Sequence, residues 1–227
     1  MRTFVLATAN AHKLSEVRAI LGPEYCVRSM GEFAGAPKPD ETADSFRGNA
    51  LIKSVALALW LCQNRCVPTQ DTSVLADDSG LEVVALAGAP GVQSARFAAL
   101  DDGRPGNSSD RENNAKLLRL MEAIPKATRA ARFRCVLALT PCGAPDGGAL
   151  GVGLETFLAS QTIFFEGTCD GAIAANAGGT GGFGYDPHFV PSGLDRTMAA
   201  LGEAEKNRIS HRAKALAMLC KSLHSQA

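Results

Sequence analysis

The stretch VLADDSGLEV, Val74 to Val83, sets two carboxylates side by side between apolar residues. Side chains alternate in direction along extended backbone, so Asp77 and Asp78 cannot both decorate one surface. Paired acids where a strand ends suit a divalent cation, because Mg²⁺ takes one or two carboxylates, keeps part of its water shell and bridges to substrate phosphates. A carboxylate there can also accept a proton from an attacking water. The plain alternative is an Asp-Asp-Ser-Gly turn closed by side-chain-to-backbone hydrogen bonds. Asp40 and Glu41, in PKPDETADSF, form a second acidic pair just before a helical pattern, where acids also complement the helix dipole.

Three further stretches carry chemistry. TANAHK, Thr8 to Lys13, joins a strand-like run to a helical pattern, and ligands of α/β sheets sit beyond strand ends, where helix N-termini offer N–H groups to anions. Thr8, Asn10 and Lys13 would add a hydroxyl, an amide and an ammonium; alternatively, Asn10 caps the helix and Lys13 is solvated. GGTGGFGYDP, Gly178 to Pro187, satisfies G-x-G-x-x-G through Gly179, Gly181 and Gly184. That dinucleotide fingerprint must follow a strand and open a helix, yet Pro187 and Pro191 follow and no helical pattern does. The loop reads better as backbone brought close to a ligand, with Phe183 or Tyr185 able to stack on a base and Asp186 able to hydrogen-bond. EKNRISHR, Glu205 to Arg212, gathers Lys206, His211 and Arg212 at the start of the last helical pattern, donors suited to phosphate or to a purine carbonyl.

The elements that must position these groups follow from periodicity. Thr3 to Ala7 predicts a strand, Leu14, Val17, Ile20 and Leu21 a helix ended by Gly22 and Pro23, and Tyr25 to Ser29 a parallel strand, giving a βαβ unit. Asp44 to Leu61 predicts a long helix with a buried C-terminal half, capped by Asp44 or Ser45. Val74 to Ala76 and Leu81 to Val84 are expected as two strands around the acidic turn. Glu112 to Ala123 and Ile209 to Leu223 are amphipathic helices, while Arg132 to Thr140 and Gln161 to Thr168 are strands able to pair antiparallel, which makes the sheet mixed. Pro141 to Ser160 is expected to be largely a Gly-rich loop without chemistry.

Composition narrows the function classes. The 227 residues are 46% apolar, enough for a substantial core. Lys+Arg and Asp+Glu balance at 23 each, and no long basic stripe announces nucleic-acid binding. Seven cysteines, an odd number mostly set in apolar runs, fit reduced thiols of a cytoplasmic protein. Cys62 and Cys66 lack a second pair at zinc-finger spacing, so they are expected to be small buried hydrophobes. MRTFVLATA turns polar too quickly for a signal peptide, and no run of 18 apolar residues predicts a membrane span.

Taken together, LATANAHKLSEV, ADDSGLEVVALAGAPGVQSARF, GGTGGFGYDPHFVP and EKNRISHRAKAL resemble, in this order and at comparable spacing, the inosine triphosphate (dITP/XTP) pyrophosphatase family. The resemblance covers essentially the whole chain. It implies an α/β fold, elongated and two-lobed around a central mixed, twisted sheet with flanking helices, in which residues 1–227 form one domain with the active-site cleft between its lobes. It also implies a homodimer that uses Mg²⁺ to hydrolyse ITP, dITP and XTP to monophosphate and pyrophosphate, cleansing the nucleotide pool. By resemblance, Thr8, Ala9, Asn10, Ala11, His12 and Lys13 form the triphosphate-binding turn, and Asp78 is metal ligand and general base, with Asp77 auxiliary. Ser79 contacts substrate. Phe183, Gly184, Tyr185 and Asp186 form the base-recognition loop, and Lys206, His211 and Arg212 read the 6-oxo side of the purine. Asp40 and Glu41 match the acidic pair that supplies a further metal ligand, with either able to do so.

The implied chemistry has a physical rationale. Hypoxanthine and xanthine carry a 6-oxo acceptor where adenine carries an amino donor, so cationic donors reward the former and are left unpaired against the latter. Guanine shares the 6-oxo group, so rejecting GTP must depend on its 2-amino group. The competing assignments are a related pyrophosphatase for other modified nucleotides, against which SHR and FGYD argue, and a non-enzymatic nucleotide sensor, which would not need the acidic pair. A Nudix hydrolase would need a Glu-rich helix that DRENNAKLLRL does not supply.

Overall fold

The structure is a computed structural model that describes residues 1–68, 70–143 and 153–225. Strand β1 (Thr3–Leu6) is almost wholly buried and lies between parallel neighbours β2 (Cys26–Ser29) and β3 (Thr72–Val83), which explains its unbroken apolar run. Helix α1 (Ala11–Leu21) connects β1 to β2, so the expected βαβ unit is present. Gly22, at φ 82°, ends α1 and returns its N–H to Arg18 O. Helix α2 (Phe46–Gln63) is capped by Ser45, whose Oγ accepts from Gly48 N, and it buries Ala50, Leu57, Ala58 and Leu61 along its length.

With β4 (Ala130–Pro141), β5 (Ile163–Ile173) and β6 (Phe189–Pro191), the sheet runs β2-β1-β3-β4-β5-β6. Parallel pairs at β1 and an antiparallel β5–β6 pair make it mixed, as expected. Helix α3 (Asp110–Met121) begins two residues earlier than its apolar periodicity suggested, because Ser109 and Glu112 form a capping box.

Three expectations are corrected. The acidic turn does not exist: β3 is a single twelve-residue strand, and Asp77 and Asp78 lie within it, their carboxylates taken up by lysine ammonium groups. Residues 153–160 are not loop but helix α4 (Gly153–Ser160), which packs on α2 and buries Leu154 and Leu158 at helical spacing. Of the rest of the expected Gly-rich loop, Pro141 ends β4 and residues 144–152 lie outside the described residues. The last helical pattern is two helices, α5 (Glu203–Ile209) and α6 (His211–His224), separated by extended Ser210, whose Oγ accepts from Ala213 N. Lys206 thus sits on α5 and His211 and Arg212 on α6.

The chain divides into two compact units, with boundaries inside β3, β4, β5 and α6. The first comprises 1–78, 136–166 and 215–227. It contains the βαβ unit, α2 and α4, and a buried hydroxyl chain in which Thr140 Oγ1 lies 2.8 Å from both Ser54 Oγ and Thr162 Oγ1. The second comprises 79–135 and 167–214, and its core joins Leu81, Phe97, Leu117, Met121, Phe133 and Phe189. Among the described residues, no helix is long and apolar enough to cross a membrane.

The capping box of α3 generates a pH signature. Glu112 titrates at about 2 rather than 4.5, first because it accepts the Ser109 N–H, then through the Ser109 hydroxyl and Arg104. Its folded pKa is depressed, so its stabilisation is complete above the ordinary carboxylate range and is lost as pH falls from there toward about 2. The Tm gap between the parent and Glu112→Ala is expected to be largest near neutrality and to narrow from about pH 6 to about pH 3. A gap that does not change with pH in thermal melts would refute this role.

Candidate active site

In the first unit a buried ammonium organises two carboxylates and a strand carbonyl. Lys53 Nζ lies 2.7 Å from Asp78 Oδ1, 2.8 Å from Glu41 Oε1 and 2.9 Å from Asp77 O. The Lys53 side chain is only 13% exposed. Burial pushes its pKa down, but the carboxylates of Asp78 and Glu41 outweigh that and hold it raised. Burial pushes the Asp78 carboxyl up, beyond what the Lys53 ammonium draws down. A carboxyl raised in this way holds a proton better than an exposed one, which suits a base.

The two oxygens of Asp78 differ. Oδ1 is held by Lys53, whereas Oδ2 is buried and has no hydrogen-bond partner. An ionised oxygen in that state is costly unless a ligand satisfies it. Of the second acidic pair, Glu41 reaches Lys53, whereas Asp40 is exposed. Asn49, one turn before Lys53 on α2 and wholly buried, accepts Ala43 N at 2.9 Å and so pins the backbone that follows Glu41.

Asp77 faces the other way and is fully buried, in an ion pair with Lys13. The β1–α1 turn is therefore tied to the acidic strand. Thr8 Oγ1 accepts Asn10 N at 3.1 Å, and Asn10 Oδ1 accepts the N–H groups of His12 (2.9 Å) and Lys13 (3.2 Å). Asn10 thus does cap α1, the plain alternative considered for it, while Lys13 is not simply solvated. Ala9, Ala11 and His12 lie exposed on the turn.

The second unit assembles a different surface. Asp186 Oδ2 accepts Lys206 Nζ at 2.8 Å in a buried ion pair and Phe183 N at 3.1 Å. Gly182, at φ 75°, leaves no room for a side chain there, since a Cβ would lie 2.1 Å from the Asp186 carboxylate. Partly exposed Phe183 has Lys206 Nζ 4.8 Å and Arg212 Cζ 5.7 Å from its ring centroid. Arg212, 1% exposed, also donates to Ser79 Oγ at 3.0 Å. His211 stacks on Phe133 with centroids 4.8 Å apart.

Tyr185 differs from its neighbour. Its ring is buried and its hydroxyl donates to Ser94 O at 2.8 Å, so of the two aromatic residues only Phe183 presents a face for stacking. The loop passes into a short 3₁₀ turn and β6, not a helix, which removes the dinucleotide-binding alternative.

Lys53 and Asn49 escaped the sequence reading. The available signal was the polar pair in NALIKSVALAL, an otherwise apolar helix, since a buried lysine requires a carboxylate partner. Among the described residues, no group of three or more His, Cys, Asp or Glu side chains is disposed to hold a metal, and Cys62 and Cys66 are free thiols.

The Ham1 family model matches residues 4–222. The chain belongs to the Ham1 family. The dITP/XTP pyrophosphatase of Desulforamulus reducens is 43% identical over 213 residues, covering 93% of this chain and 90% of that protein. That of Pseudomonas aeruginosa is 42% identical over 219 residues, covering 96% and 95%. Among solved structures, the Staphylococcus aureus Ham1 protein superposes with a TM-score of 0.76 at 35% identity, covering all of both chains. The Mycobacterium abscessus nucleoside-triphosphatase / dITP/XTP pyrophosphatase gives 0.63 at 35% identity, covering 96% and 98%. The family resemblance carried by the four sequence motifs is thereby borne out for this Ham1 chain, as is the α/β class of its fold.

Because Lys53 neutralises two carboxylates in a largely buried setting, removing it strands both. Lys53→Met is expected to destabilise the fold by about 2–4 kcal/mol, and adding Asp78→Asn to recover at least about 1 kcal/mol of that. Urea unfolding of the double-mutant cycle measures this, and strict additivity would show the pair to be uncoupled.

Proposed function

We propose that this Ham1-family chain hydrolyses the deaminated purine nucleoside triphosphates dITP, ITP and XTP to the monophosphate and pyrophosphate, with Mg²⁺, and so removes them from the nucleotide pool. The observation that carries the catalytic half is the Asp78 carboxylate, one oxygen fixed by Lys53 and the other buried with no hydrogen-bond partner, beside Glu41. The relatives named dITP/XTP pyrophosphatase support the substrate class.

A carboxylate pair fits Mg²⁺, which needs few protein ligands when phosphates and waters complete its shell. Glu41 and Asp78 would hold it, and when bound it would neutralise charge on the phosphates. Asp78 accepts the proton of a water that attacks the α-phosphorus, and the bond to the bridging oxygen breaks to release pyrophosphate. Lys13 and Lys53 supply positive charge for the triphosphate, with Lys13 aimed by Asp77 and Lys53 by Asp78 and Glu41. By family resemblance the turn Thr8 to Lys13 faces the same anion, its Asn10, His12 and Lys13 N–H groups being bonded to the Thr8 and Asn10 side chains. Phe183 stacks on the purine. Lys206, Arg212 and His211 supply donors on the 6-oxo side, Ser79 is positioned by Arg212, and Asp186 holds Lys206 in place. By family resemblance the protein works as a cytoplasmic homodimer, and light scattering giving twice the 23.7 kDa chain mass would support the dimer.

A panel of dITP, ITP, XTP, GTP, ATP and dTTP, assayed for pyrophosphate with and without Mg²⁺, tests the assignment; preference for ATP or dTTP would sink it. Asp78→Asn is expected to lower kcat by about 10²–10⁴ while the protein stays folded and binds ITP. Unchanged turnover would remove Asp78 from catalysis, and ITP binding without turnover in the parent would indicate a sensor instead.

A further inference from the structure

The loop from Gly178 to Gly184 contains five glycines, the residues that lose most conformational freedom on ordering. Something must hold it if Phe183 is to present a fixed face. Gly184 adopts φ 61°, yet a Cβ there would meet nothing within 4 Å. Glycine is required at this position by backbone conformation, not by space, and the orientation of its peptide groups is what the surroundings fix.

Both polar groups of Gly184 are gripped by the first turns of α3. Asp110 Oδ2 accepts Gly184 N at 2.6 Å, and Asn114 Nδ2 donates to Gly184 O at 2.8 Å. The two residues are four apart and so share one face of the helix. Asn114 Nδ2 also donates to Asp110 O at 2.8 Å, which links the two jaws. Helix capping does not account for Asp110. That task is already done by Ser109 Oγ on Glu112 N and by Glu112 on Ser109 N, which leaves the Asp110 carboxylate for the loop. The grip falls between Phe183, with Lys206 and Arg212 beside its ring, and Tyr185, anchored on Ser94.

We propose that Asp110 and Asn114 are positioning residues for base recognition, clamping the Gly184 peptide so that the Phe183 ring is held ready to stack on the substrate's purine. The proposal rests on the functional assignment made above. Because the clamp acts on the base-binding loop, its loss weakens binding of a nucleotide without weakening binding of a bare polyphosphate.

Steady-state kinetics with dITP, alongside competitive inhibition by inorganic tripolyphosphate, separate these effects. For Asp110→Ala and Asn114→Ala, KM for dITP is expected to rise on the order of tenfold, with kcat within about twofold and the tripolyphosphate inhibition constant unchanged. Asp110→Asn keeps a neutral acceptor and should give an intermediate KM; it carries the test alone should the alanine variant fail to fold. Unchanged KM in folded variants, or a parallel rise in the tripolyphosphate constant, would overturn the clamp. A parent that prefers ATP or dTTP to dITP refutes the functional assignment, whereas a parent active on dITP with indifferent variants refutes only the clamp.

Discussion

The first unit is organised around one buried ammonium. Lys53 neutralises Asp78 and Glu41 at once and binds the Asp77 carbonyl. Without a cation in that place, two carboxylates and a strand carbonyl would crowd acceptors into a low-dielectric pocket, and the cheapest outcome would be protonation or opening of the strand. With it, β3 runs unbroken through an Asp-Asp pair, a sequence that otherwise reads as a turn. The same arrangement leaves one Asp78 oxygen without a hydrogen-bond partner, so the stabilising lysine and the proposed base are parts of one device.

The second unit solves the opposite problem, holding cations in a largely apolar environment. Lys206 is neutralised by Asp186, while Arg212 lies buried against Ser79 and near the Phe183 ring. A guanidinium tolerates such a site better than an ammonium because its charge is spread and its plane can stack. The donors expected to read a purine carbonyl therefore come already oriented, and little ordering entropy remains to be lost when a base arrives.

Much of this was legible in the residues. The βαβ unit, the long helix with a cap at Asp44 or Ser45 and the mixed sheet follow from periodicity and capping signals, and the four chemistry-bearing stretches contain charged and aromatic groups gathered within each unit. What escaped depended on partners distant in the chain. Asp77 meets Lys13 from 64 residues away and Asp78 meets Lys53 from 25, so local sequence around the acids suggested a strand end and hid the lysine partners that let the strand continue. Helix α4 has eight residues next to glycines, too few to display a period. Phe183 and Tyr185 look equivalent in FGYD, and only burial and the bond to Ser94 separate the aromatic face from the anchor.

Helix α2 carries Asn49 and Lys53 on one face, with Asn49 fixing the segment after Glu41 and Lys53 fixing Glu41 and Asp78. Leu57, Ala58 and Leu61 lie further along the same rod, fully packed. The acidic cluster is thus set by the axial position of a single helix, as a gauge is set by one screw. An exchange under α2 that shifts this helix would therefore disturb the Lys53 contacts to Glu41 and Asp78 directly.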